Sequence, residues 1–253
     1  MASQISFTDS WGLAAIALAM ILGGILKGAT GAGIPIIAVP VIAAVYDVRI
    51  AVAVMVIPNL ISNLWQIFKF RKNPTDKAFC WQLAIFGAIG AGIGTVALAE
   101  LPSSFLSLCM AGIIIAYIML RVLKPSVQLS MIGAKKTVAV VSLIGGILQG
   151  AVGVSAPAIV TFLNAMKLAR PAFIFTVSIF FASMAAVQIP TQIYYGLLTR
   201  DIATLGLLAF IPLFGALPVG DWIGRRISPK VFDTVILAFL AILAIRLIYV
   251  EIS

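Results

Sequence analysis

The sequence predicts an all-α polytopic membrane protein made of two inverted repeats, each a broken-helix hairpin followed by three transmembrane helices. Composition is the first reason. Hydrophobic residues make up 62% of the 253 and charged residues 10%, with a mean hydropathy of +1.18. A soluble domain of that length has too little interior to hide so much apolar surface. Internal repetition is the second. The stretch GGILKGATGAGIPII (Gly23 to Ile37) returns as GGILQGAVGVSAPAI (Gly145 to Ile159), with four glycines and a proline superposed by a shift of 122 positions. The third is the placement of charge. The formal net charge is +9, yet the basic residues lie in short connections between apolar runs. That is the signature of positive-inside topology rather than of nucleic-acid binding.

In chain order, the opening MASQISFTDSWG has no basic n-region and no small-residue cleavage site, so no cleaved signal peptide is expected. Residues 11–46 form an apolar run too long for one span and interrupted at Gly28 to Gly33. Two helices of about 15 residues would each rise about 22 Å, short of a hydrocarbon core of about 30 Å. A hairpin meeting at a glycine-rich tip is therefore expected. The runs 48–68, 78–99 and 103–123 are each long enough to cross. The polar connection KPSVQLSMIGAK (124–135) divides the chain into a first repeat, 1–124, a cytoplasmic connector, 125–135, and a second repeat, 136–253. The second half repeats the plan: a broken run at 136–166, then 171–193, 202–220 and 231–250. Leu101 to Phe105 is echoed by Ile227 to Phe232, and Arg49 by Arg170.

Charge orients the chain. If each broken run returns to its own side, every repeat has three full crossings, and the second is inverted relative to the first. The loops around 69–77, 121–136, 167–170 and 225–230 then share the cytoplasmic side and hold 13 of the 17 basic residues. Both termini are expected outside. Trp11, Trp65, Trp81, Trp222, Tyr46, Tyr194 and Tyr249 lie near segment ends, where interfacial aromatics belong. Cys80 and Cys109 read as small apolar packing residues.

Few residues can carry chemistry. Broken backbone at membrane depth survives only where protein or a water-lined cavity surrounds it, and one break per half points to a transport site. Lys27 stands just before the first break. A buried ammonium marks an ion path, or it snorkels or caps a half-helix. Its counterpart is Gln149. Gly33-Ile34-Pro35 and Ser155-Ala156-Pro157 read as helix starts whose free N–H groups favour an anion; Ser155 can also cap its own helix. Asn59, Ser62, Asn63 and Gln66 share one helical face, and Gln188, Thr191, Gln192 and Tyr195 repeat that spacing. Such stripes suit a small anion or serve as hydrogen-bonding glue between helices. The expected binding residues are Lys27, Gly28, Thr30, Gly31, Ala32, Gly33, Asn59, Asn63, Gly150, Gly153, Ser155, Gln188 and Gln192. Gly87, Gly90, Gly92, Gly94, Gly215 and Gly220 are expected to allow close helix packing.

With no histidine in the chain and no Asp or Glu in the middle of any run, Ser–His or zinc–histidine hydrolysis inside the membrane is excluded. No cofactor or metal site is expected; a coupling ion would be H+ or Na+. The paired motifs GGILKGATGAGIPIIAVP and GGILQGAVGVSAPAIV, on two four-segment halves, resemble the TauE/SafE sulfite exporter family. The resemblance covers essentially the whole chain. It implies transport of sulfur-containing oxyanions such as sulfite, sulfoacetate and aromatic sulfonates, 4-toluenesulfonate among them. Members commonly carry a glycine run where this chain has Thr30 to Ile34, and Val154-Ser155-Ala156 departs further. The expectation is a secondary transporter of an organosulfonate or sulfite in a bacterial-type inner membrane, with substrate held between the two tips. The other readings are an anion channel or a non-transporting scaffold subunit.

Overall fold

The computed structural model describes residues 9–123, 128–226 and 229–252, and within them the chain forms ten helices and no strand. The first half holds α1 (Ser10–Thr30), α2 (Ile34–Ala43), α3 (Val48–Phe70), α4 (Lys77–Glu100) and α5 (Ser103–Leu123). The second holds α6 (Met131–Val152), α7 (Ala156–Ala165), α8 (Arg170–Tyr194), α9 (Arg200–Arg226) and α10 (Pro229–Ile252). Seven described helices, α1, α3 to α6, α8 and α9, are long and apolar enough to cross a membrane. Side-chain oxygens start several of them: Asp47, Asp76 and Ser130 accept from the N–H groups of Ile50, Phe79 and Gly133. α6 begins inside the stretch expected as connector. Residues 1–8, Lys124, connector residues 125–127 and the Ile227-Ser228 part of the loop echo lie outside the described residues, as do the side chains of Arg225 and Lys230.

The broken runs are unequal hairpins, not pairs of equal half-helices. α1 has 21 residues and α2 only 10, so they rise about 31 Å and about 15 Å. The first break falls at Gly31 to Gly33, and Gly28 stays helical. Tertiary contact explains this: a Cβ at Gly28 would strike the Leu217 carbonyl and lie 3.0 Å from Gly220 Cα, so the glycine serves a helix crossing and its weak propensity is overridden. α1 stops at Gly31, left-handed at φ 88°, whose N–H bonds the Lys27 carbonyl. Gly153 (φ 73°) ends α6 in the same way on the Gln149 carbonyl. Pro35 and Pro157 then sit in the first turns of α2 and α7, as expected. Ser155 occupies the N-cap position but does not cap; its hydroxyl donates to Gln149 Oε1 at 2.9 Å.

Both hairpins return to the side they left. Tyr46, after α2, donates its hydroxyl to Asp9, before α1, at 2.9 Å. The Gly12 N–H and that hydroxyl hold the Asp9 carboxyl below its ordinary range, while burial and Asp9 push the Tyr46 phenol up to about 12. In the second half the Leu129 N–H bonds the Ala165 carbonyl at 2.9 Å, tying the start of α6 to the end of α7.

The halves interlock. α4 packs most extensively on α6, and α1 on α9. Gly90 faces Gly146 and Gly94 faces Gly150, so the partner numbers rise together and α4 runs parallel to α6. Gly28 faces Gly220 and Ala29 faces Gly224, making α1 parallel to α9. α3 and α8 cross with opposite sense: Ser178 bonds Gln66, while Gln188 lies with Val56 and Asn59. Gly87 is pressed on Phe180, but Gly92 meets only Val187 at 3.3 Å and Gly215 faces open space, contrary to its expected packing role. Trp11, Trp81 and Trp222 are exposed. Trp65 instead packs edge-to-face on Phe214, with ring centroids 5.6 Å apart.

Candidate functional site

A cavity of about 670 Å³ opens where α1, α5 and α9 end and α8 begins. Its deep wall joins the two tips: Thr30, Ala32 and Gly33 come from the first, and Ala156 opens the second. Among the described residues, Arg121, Lys167 and Arg170 line it and no carboxylate does. Arg170 is fixed by design of the helix ends. It donates to the carbonyls of Gly28 and Ala29 at 3.2 and 3.3 Å and pairs with Asp221 at 3.0 Å, which satisfies the C-terminal acceptors of α1. Both α2 and α7 start at this wall; with proline second and the Ile36 and Ala158 N–H groups bonded to the Gly33 and Ser155 carbonyls, the first N–H of each helix, on Ile34 and Ala156, is the one left without an intrahelical acceptor. Basic side chains and two helix N-termini together favour an anion.

A buried polar network lies behind the tips. Lys27 is 2% exposed, so it does not snorkel. Its Nζ donates to Ser62 Oγ at 3.1 Å and Asn63 Oδ1 at 2.8 Å. Asn63 Nδ2 donates onward to Asn59 Oδ1 at 2.8 Å. Asn59 borders an enclosed void of about 10 Å³, walled also by Val39, Val52, Met55, Val56, Gln149, Gly153 and Gln188. That volume has room for about one water.

The expected residues therefore divide. Thr30, Ala32 and Gly33 line the open cavity; Asn59, Gly153 and Gln188 line the void. Asn63 and Ser155 are bonded to the void's wall without lining it, and Lys27 reaches it through Asn63. Gly28 and Gly150 sit in the α1–α9 and α6–α4 crossings. Gly31 packs on Ile174 and Gly153 on Val52, a pair related by the same 122-residue shift that relates the motifs. Gln192 is fully buried, borders neither space, and neither of its amide atoms has a partner among the described residues. The two polar stripes do not sit at equivalent depth; only Gln66 and Gln188 correspond under the shift. All four residues of the first stripe are buried, whereas Tyr195 of the second is exposed.

In the sequence, Arg121, Lys167 and Arg170 carry a signal of topology and, for Arg170, of repetition, but none of a binding site. Their shared side was the available signal that they also surround one opening. Gln149 was legible only as the uncharged partner of Lys27.

The family model for the sulfite exporter TauE/SafE matches residues 16–247. No curated protein and no solved structure matches the chain. The matched span begins within α1 and takes in both tips, the basic cavity and all but the last turn of α10, and the chain belongs to the TauE/SafE sulfite exporter family.

Proposed function

We propose that the protein is a secondary transporter that moves a small sulfur-containing oxyanion, a sulfonate or sulfite, by alternating access between two inverted repeats. Family membership supplies the coarser statement: this is a multi-pass membrane transporter of a small anion, not an enzyme. The finer reading rests on one observation, the convergence of Arg121, Lys167, Arg170 and the starts of α2 and α7 on a single open cavity.

Inversion is supported by the hairpin closures at Asp9–Tyr46 and Leu129–Ala165. Three crossings after each closed hairpin reverse the second repeat, 136–253, relative to the first, 1–124. The opposed α3 and α8 agree with this. The cavity opens on the side that the charge distribution assigns to the cytoplasm, so this conformation faces inward in a bacterial-type inner membrane, with both termini outside. Beyond the tips the path ends in a void of one-water size, which favours a carrier over a channel.

Purified protein in proteoliposomes tests the reading. Saturable uptake of sulfite or methanesulfonate is expected, reduced by Lys167→Gln or Arg121→Gln. Imposed proton or sodium gradients identify the coupling ion. Absence of uptake for every sulfur oxyanion overturns the function, and flux that never saturates and only follows the anion gradient establishes a channel.

A further inference from the structure

We propose that the enclosed void between α2, α3, α6 and α8 is the collapsed anion site, lined by the side-chain amides of Asn59, Gln149 and Gln188, and that it selects oxyanions carrying no proton. This rests on the transport reading and deepens it.

The direction of the amides follows from hydrogen-bond logic. An ammonium can only donate, so Lys27 turns Asn63 Oδ1 towards itself. Asn63 Nδ2 must then donate, and it does so to Asn59 Oδ1. That leaves Asn59 Nδ2 at the void with no acceptor among the described residues. On the opposite wall the Ser155 hydroxyl occupies Gln149 Oε1, leaving Gln149 Nε2 in the same state. Gln188, 2% exposed, lines the void with no side-chain partner at all among the described residues. Two N–H₂ groups of fixed direction, and the Gln188 amide that no partner holds, thus meet between apolar walls of Val39, Val52, Met55 and Val56, where low polarity strengthens each bond. Lys27 is a positioning residue, since its charge sets the polarity of the relay without bordering the space.

The void is too small for a sulfonate head in this conformation, and its boundary shows how it enlarges. Gly153 lines the void while Ala156 lines the open cavity; on α2, Val39 lines the void and Ile36 the cavity. The second tip, Gly153 to Ala156, is the partition. Gly153 is the left-handed residue at its root, so displacement of this tip joins the two spaces.

The three amides can each offer an N–H₂ to an anion whose oxygens are all acceptors, whereas an O–H is met only by turning Gln188 Oε1 inward, which gives up one of those donors. Methanesulfonate and methylphosphonate are near-isosteres that separate these cases. Binding to the wild-type protein is measured by calorimetry at about pH 6, where methylphosphonate keeps one proton, and at about pH 9, where it has lost both. The mismatched hydroxyl should weaken methylphosphonate about 10- to 100-fold against methanesulfonate at the lower pH, and the gap should close at the higher. Gln188→Glu and Gln149→Glu should each lose methanesulfonate binding by at least about tenfold. Lys27→Met frees the Asn63 amide to turn, so it should shrink the sulfonate-to-phosphonate ratio at the lower pH; a merely structural lysine would leave that ratio intact. If wild-type protein binds both anions equally at about pH 6, or both glutamate variants bind methanesulfonate normally, the void is not the site and the transport reading stands. If wild-type protein binds no sulfur oxyanion, both fall together.

Discussion

Gly94→Ala gives the most direct test of how the halves are joined. A Cβ at Gly94 would strike the Ile147 carbonyl and lie 2.8 Å from Ala151 N and 2.9 Å from Gly150 Cα. A carbon and a carbonyl oxygen need about 3.3–3.6 Å. Every obstacle is backbone, so no rotamer change relieves the clash, and α4 must retreat from α6 bodily. Overpacking of this kind costs about 1–3 kcal/mol, against about 1 kcal/mol gained when alanine replaces glycine in a helix. The net is a loss of about 0–2 kcal/mol. At Gly112 and Gly215 nothing lies within 4 Å, so alanine there gains up to about 1 kcal/mol. The two classes should differ by roughly 2–10 °C in Tm for a chain of this size. Thermal unfolding of detergent-purified protein reads the difference. Gly28→Ala, in the matching α1–α9 crossing, should behave like Gly94→Ala, and the two should add within about 0.5 kcal/mol because their crossings are separate. Gly94→Ala with Gly150→Ala should be less than additive, since one retreat of α4 accommodates both methyls. If Gly94→Ala raises Tm as Gly215→Ala does, the close approach of these helices is wrong.

Three further outcomes follow from particular contacts. Gly31→Val and Gly153→Val place a β-branched residue at φ 88° and 73° and against Ile174 and Val39; each should cost at least about 1–3 kcal/mol and abolish anion binding, as scored by calorimetry on protein that remains monodisperse. Tyr46→Phe removes the bond that closes the first hairpin, worth about 1 kcal/mol, and should lower Tm by roughly 2–4 °C. Because the folded phenol is raised from 10.0 to about 12, its contribution is complete below pH 10 and fades as pH rises towards 12; a Tyr46→Phe difference that persists undiminished through that window would exclude the phenol as its source. In a background without Cys80 and Cys109, a cysteine at exposed Gln128 should resist membrane-impermeant thiol reagents in intact cells, and rapid labelling there would reverse the orientation.

The membrane class, the duplicated break and the order of helices were legible because they depend on composition and period, which the sequence carries locally. The hairpin proportions were not. Gly28 looks like a breaker in the sequence, and only the α9 backbone lying against it explains why the helix continues to Thr30. That contact, and the matching one of α4 on Gly150, remove both glycines from the cavity walls, where glycine content alone had placed them. Stripe spacing correctly put Asn59, Ser62, Asn63 and Gln66 on one buried face. It could not show that Gln188 and Gln192 lie at a different depth, because a helical face says nothing about which partner crosses it. Arg121, Lys167 and Arg170 come from three segments, and their convergence on one opening is a property of the packing.

The architecture resolves an apparent conflict between a near-symmetric scaffold and a charged core residue, Lys27, that stands alone among the described residues. The contacts that join the halves, α4 on α6, α1 on α9, Gly31 on Ile174 and Gly153 on Val52, are exchanged by the repeat relation. Two arrangements that swap the roles of the halves are then similar in packing energy, as the proposed alternating-access carrier requires in order to populate both. Chemistry need not follow that symmetry, since an anion requires one site. Lys27 and Gln149 occupy equivalent positions yet act differently: one orders the amides of α3, the other offers its own amide across the void. Charging position 149 as well would place two ammonium groups around one small space, and a bound anion could then leave only against both. One charge, held by neutral acceptors and set back from the void, orders the donors while leaving release cheap. Gln149→Lys should therefore tighten anion binding in equilibrium calorimetry and slow turnover in proteoliposomes; faster turnover with weaker binding would contradict this division of labour.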